Sequence, residues 1–192
     1  MNGIILGVDP GSRTTGYAVL KAEGSHHSVL ACDVIRLDTK QEHSQRLHEL
    51  FDNMNSIISA YKPDSCAVET PVYGKDPLAM LKLGRAQAAI ILAGMSHGIP
   101  VIEYYPKAVK KSITGNGNAA KEQVSFMLQR VLNFDDKKIP NDATDALAVA
   151  WCHLMKNSGL GNRSSPTAKK MHQNNKVSSW EEYIRNNEDR VR

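Results

Sequence analysis

Two short apolar runs in this chain, Gly3–Asp9 and Ser65–Glu69, each stop at a carboxylate. Runs of this length and composition read as buried strands. An acid at the end of a buried strand is costly unless a cation neutralises it. The two runs therefore predict a sheet, and one edge of that sheet where acids collect. Pro10-Gly11-Ser12 reads as a turn after the first run. Gly16–Lys21 and Ser28–Leu37 follow as strands, with Gly24-Ser25 between them, which makes an antiparallel meander. From Glu42 to Tyr61, Leu47, Leu50, Phe51, Met54, Ile57 and Ile58 recur at helical spacing. Asp76–His97 reads as an Ala- and Leu-rich helix and Val101–Tyr105 as a strand. Lys107–Ile113, Ala119–Leu132 and Asn141–Lys156 read as helices. This order predicts an α/β fold, a mixed five-stranded sheet flanked by α-helices.

The 192 residues suit one domain plus a tail. Residues 1–157 form the expected domain. The tail, 158–192, is polar and basic and is expected to be flexible, with seven Lys/Arg against four Asp/Glu. Within it, Trp180, Tyr183 and Ile184 have the spacing of one amphipathic turn that docks on the body or on a second subunit. The tail holds most of the net charge of +4, so nucleic-acid binding by the body must rest on local patches. No secretory signal is evident, and no apolar run comes near the roughly 18 residues of a membrane span. Cys32, Cys66 and Cys152 are far apart and lack zinc spacing, as expected of buried thiols in a reducing compartment. The expectation is a cytoplasmic protein with no membrane partner.

Four acids stand at element ends. Asp9 and Glu69 end strands, while Asp142 and Asp145 open a helix on one face of it. Oxygen-only ligation suits Mg²⁺, with Mn²⁺ as a substitute, and the absence of a Cys/His cluster argues against zinc. Two such ions about 4 Å apart activate water and stabilise the leaving oxygen of a phosphodiester. Four carboxylates balance two divalent ions in charge. Each acid also has a plainer reading. Asp9 can start a turn, Glu69 can face solvent at an edge, Asp142 can complement a helix N-terminus and Asp145 can be a surface charge. What favours the site is that three separate segments deliver acids where one sheet edge could gather them.

The run Ile5-Leu6-Gly7-Val8-Asp9-Pro10-Gly11-Ser12-Arg13-Thr14-Thr15-Gly16-Tyr17 resembles the first motif of the RuvC Holliday-junction resolvases. Ala67-Val68-Glu69, Leu81-Lys82-Leu83-Gly84-Arg85-Ala86 and Asn141-Asp142-Ala143-Thr144-Asp145-Ala146-Leu147-Ala148 resemble later motifs of that family. The resemblance runs through about residues 1–155. It implies an RNase H-like fold and a homodimer, with Mg²⁺-dependent cutting of four-way DNA junctions by paired symmetric nicks in recombination and repair. It implies that Asp9, Glu69, Asp142 and Asp145 are catalytic acids and metal ligands, and that a branch-migration complex of the RuvA and RuvB type is a partner. Family members often place an aromatic wedge three residues after the second acid. Here that position is Val72, and Tyr73 follows it. An aromatic face suits unstacked bases, so Tyr73 is a candidate DNA contact.

Lys107, Lys110, Lys111 and Lys121 flank the polar loop Gly115-Asn116-Gly117-Asn118 with no acid among them. They are candidate phosphate contacts, against the plainer reading of a solvated helix face. Lys110 and Lys121 match lysines that the family uses near the cleaved strand. Lys75, Lys82 and Arg85 form a weaker basic group, and Arg13 stands near the first acid. The 76–97 helix is apolar nearly all round after Arg85, so it needs cover on two sides, by a larger core or by a second subunit. His26 and His27 fall in an expected hairpin loop and read as solvent-exposed. Two other functions keep the same first motif or the same acids: an actin or sugar-kinase type of ATP-dependent enzyme, and an RNase H-like nuclease that processes RNA.

Overall fold

The computed structural model describes residues 2–72, 74, 76–133 and 139–158. Tyr73, Lys75 and all of the tail beyond Ser158 lie outside the described residues. Five strands form one sheet: β1 (Asn2–Asp9), β2 (Thr14–Glu23), β3 (His26–Arg36), β4 (Ser65–Glu69) and β5 (Val101–Tyr104). Their order is β3-β2-β1-β4-β5. The first three strands pair antiparallel, and β1, β4 and β5 pair in parallel, so the sheet is mixed. The helices are α1 (His43–Tyr61), α2 (Pro77–Ser96), α3 (Pro106–Thr114), α4 (Lys121–Leu132) and α5 (Asn141–Asn157).

Strand side chains alternate between faces, and the two faces have separate cores. Leu6, Val8, Cys66 and Val68 pack with Leu50, Met54 and Ile58 of α1 and Ala86, Ile90 and Ala93 of α2. Ile5, Ala18, Leu20 and Ala67 pack with Val109 of α3, Val124 and Leu128 of α4 and Leu147, Val149 and Leu154 of α5. The result is a three-layer domain with the sheet in the middle. Burial pushes the Cys66 thiol up to about 12, as befits an inert core residue.

Helix starts follow local chemistry. Asp76 caps α2 by accepting from the Leu78 and Ala79 amides at 2.9 and 3.1 Å. Pro106 opens α3, where its missing N–H costs nothing. The Gln45 and Gln123 side chains reach back to the N–H groups of Glu42 and Ala120 at the starts of α1 and α4.

The structure corrects two sequence expectations. The first is that no apolar run is near membrane length. The helix α2, 20 residues long with an 18-residue stretch of mean hydropathy 1.4, is long and apolar enough to cross a membrane by length and composition. Lys82 and Arg85 interrupt the run early and disguise it. The second concerns His27, which lies in β3 instead of a loop. Its ring packs edge-on against Trp151 of α5, with centroids 5.4 Å apart, and is only partly exposed. The hairpin turn is shorter than the loop the sequence suggested, only Gly24-Ser25, so β3 begins two residues earlier.

Candidate active site

Strand parity decides which face receives the acids. Ile5 and Ala67 point into the α3–α5 core, so Asp9 and Glu69, of the same parity on the same strands, belong to that face. The parallel register pairs Val8 with Val68, which leaves Asp9 and Glu69 one step beyond, at the ends of neighbouring strands.

The other two acids come from α5, and two glycines let that helix close on the sheet. A Cβ at Gly7 would stand 2.7 Å from the Ala150 amide nitrogen, and one at Gly16 would stand 2.9 Å from that of Ala143. Neither distance is tolerable for a side chain, so only glycine allows β1 and β2 to approach the α5 backbone this closely. The first turn of α5 thus comes to rest beside the end of β1. One carboxylate oxygen each from Asp9, Asp142 and Asp145 lies within 4.8 Å of the others. Glu69 lines a cleft of about 340 Å³ that it shares with Asp9 and Asp145. The four acids therefore meet in one place, with Asp9 and Asp145 common to both groupings.

Two lysines complete the cleft. Lys121, at the first turn of α4, donates to Asp145 at 2.5 Å. Lys110, on α3, lines the same cleft and donates to the Ala119 carbonyl at 2.8 Å. These cations do not offset the acids. Burial, with Asp145 and Asp142 beside it, raises Asp9 from 3.8 to about 7, although Lys121 pulls the other way. Burial, then Asp9 and Asp145, raises Glu69 from 4.5 to about 8 against Lys121 and Lys110. The bond to Asp145 holds Lys121 above its ordinary value, partly offset by burial. The protein alone thus leaves a surplus of negative charge in an all-oxygen donor set. That is the chemistry of a site for hard divalent cations.

The remaining candidates sort by position. Lys107 and Lys111 are exposed on α3 and do not line the cleft. Arg13 is exposed in the turn after β1, where its carbonyl accepts from the Leu37 amide at 2.9 Å. Lys82 and Arg85 are exposed on α2, in the other helical layer. There they meet two groups that sequence reading missed, His43 and Arg46. Burial first, then Arg46, Arg85 and Lys82, lowers the His43 pKa. That grouping needs the packing of α1 on α2, which no local pattern encodes. Val72 is 60% exposed just past Glu69, and neither Tyr73 nor Lys75 is among the described residues. His153, two turns beyond Asp145, is buried away from the acids and bonded to Ser65 at 3.1 Å and Tyr104 at 2.8 Å.

Comparison with known proteins decides the family. The model of the family described as crossover junction endodeoxyribonuclease RuvC matches residues 5–153. The chain belongs to the RuvC family. The RuvC of Salinibacter ruber is 44% identical over 188 residues, covering 98% of each chain. That of Porphyromonas gingivalis is 43% identical over 191 residues, covering 98% of this chain and 97% of the relative. A solved structure described as Thermus thermophilus RuvC in complex with Holliday junction substrate superposes with a TM-score of 0.76. It is 26% identical and covers 83% of this chain and 96% of that one. Membership makes this chain an enzyme, an endodeoxyribonuclease of the crossover junction type with an RNase H-like fold. It also sets aside the kinase-type and RNA-processing alternatives. RuvC membership implies use of a divalent metal, and the acid cluster fits that chemistry.

Proposed function

We propose that the chain binds four-way DNA junctions and resolves them by paired symmetric nicks, with Asp9, Glu69, Asp142 and Asp145 as its catalytic acids. The observation that carries this reading is the convergence of the four acids on one cleft, from two strand ends and one helix start. These carboxylates would hold two Mg²⁺ ions, with Mn²⁺ as a substitute. The ions, when bound, supply positive charge against the scissile phosphate and the attacking water. Lys121 positions Asp145, and with Lys110 it offers ammonium groups to the phosphate backbone at the mouth of the cleft. Exposed Lys82, Arg85, Lys107, Lys111 and Arg13 extend the basic surface beyond it, and Tyr73 and Lys75 belong to the same proposal.

A second copy would pack along α2. Leu78, Leu81, Arg85, Ala88, Leu92 and Met95 recur at intervals of three and four residues, and all are exposed. Leu78 and Met95 are 68% and 64% exposed. Such a stripe is the seam of helix pairing. A homodimer also places two clefts on one junction, as symmetric nicking needs. Residues 1–157 would be the nuclease unit and 158–192 an appended tail. The enzyme would work in the cytoplasm and follow a branch-migration complex of the RuvA and RuvB type. The test is incubation with a synthetic four-way junction, with and without Mg²⁺. Paired nicks that require the metal support the reading, and an intact junction under both conditions overturns it.

A further inference from the structure

Beside the acid cleft lies a second hollow of about 330 Å³, between α4 and the start of α5. The two are continuous, because Lys121 and Asp145 line both. The chemistry of the second hollow differs from that of the first. Among the described residues its one ammonium group, Lys121, is already paired with Asp145, and Glu122 adds another carboxylate to the wall. The rest of the lining includes the amides of Gln129 and Asn141 and the ring of Phe126.

Phe126 is 53% exposed, although an aromatic ring on a helix surface gains nothing from water. The Arg130 guanidinium lies over that ring, 5.2 Å from its centroid, and restrains it. A flat apolar face and flanking amides suit a neutral heteroaromatic group that also forms hydrogen bonds. In a DNA strand whose phosphate sits among the acids, that group is a nucleobase next to the cut. Resting on the junction-cutting function proposed above, we infer that Phe126 is a specificity-determining residue that stacks on a base flanking the scissile phosphate, with Gln129 and Asn141 reading its edge.

The inference is tested by single-turnover cutting of junctions that carry each of the four bases, or an abasic site, at either nucleotide flanking the cut. Base–aromatic stacking predicts that the wild-type enzyme cuts one abasic junction about tenfold more slowly than its preferred substrate. Phe126→Ala and Phe126→Leu should cut the preferred junction about as slowly as the wild type cuts the abasic one, and should no longer distinguish the two. Phe126→Trp should restore the distinction. Thermal melting checks folding, which this exposed position leaves intact. If Phe126→Ala keeps the wild-type ratio between base and abasic site at both positions, the inference is wrong while the cutting function stands. A wild-type enzyme that cuts no junction overturns both.

Discussion

At the residue scale, the acids explain each other's behaviour. Asp9 is buried beside two carboxylates that its own strand does not supply, and its proton is held to about 7 by that burial first and by those charges second. The consequence for stability has a definite sign. In the unfolded chain Asp9 ionises near 3.8, so below that pH it costs the fold nothing. As pH rises towards about 7, the unfolded state releases the proton first and metal-free stability falls. Asn at this position has no proton to lose. In EDTA, the Tm advantage of Asp9→Asn over wild type should therefore grow between about pH 4 and 7 and then level off. Added Mg²⁺ should stabilise the wild type at neutral pH and stabilise the variant less. A difference in Tm that is flat across this range would mean that Asp9 feels no such field.

These four acids were legible in the sequence because each stands at an element end, where polarity changes abruptly. The lysines were not separable in the same way. Lys107, Lys110 and Lys111 share one short helix, and only its phase against α5 places Lys110 in the cleft and leaves the other two outside. His27 was misread because a two-residue turn and a six-residue loop look alike when Gly, Ser and His are adjacent. Phe126 was passed over because a lone aromatic on an amphipathic helix reads as core.

At the element scale, the order and type of strands and helices followed from periodicity, and the five-stranded mixed sheet agrees with it. What periodicity did not reveal is the closeness of α5 to β1 and β2, which depends on Gly7 and Gly16 lacking a side chain. The apolar character of α2 was legible, but its split into two faces was not. Ala86, Ile90, Ala93 and Gly94 are buried against the sheet and α1, and Leu78, Leu81, Leu92 and Met95 face outward. A single charge in the outward stripe should separate the two without harming the fold. Leu92→Asp should keep the wild-type Tm within a few degrees and convert a micromolar dimer to monomer in sedimentation. Junction cutting should then yield single, uncoupled nicks. A Leu92→Asp protein that still sediments as a dimer would move the interface elsewhere.

At the scale of the whole molecule, the sheet serves as a platform whose one edge collects charge. Two parallel strands end side by side, a helix starts over them, and two lysines from further helices border the cleft. The family match, the fold and the cleft all lead to a metal-dependent cut in a DNA backbone. In the proposed function, binding and cutting rest on different groups, since lysines and shape would hold the junction while carboxylates would hold the metal. The most direct measurement is therefore made on Asp9→Asn, which keeps the shape of the side chain and removes its charge. Junction binding in EDTA and junction cleavage in Mg²⁺ are measured on the same folded preparation. The account predicts binding equal to or tighter than wild type, with cleavage slower by about three or more orders of magnitude. A folded Asp9→Asn protein that cuts at near the wild-type rate would contradict it.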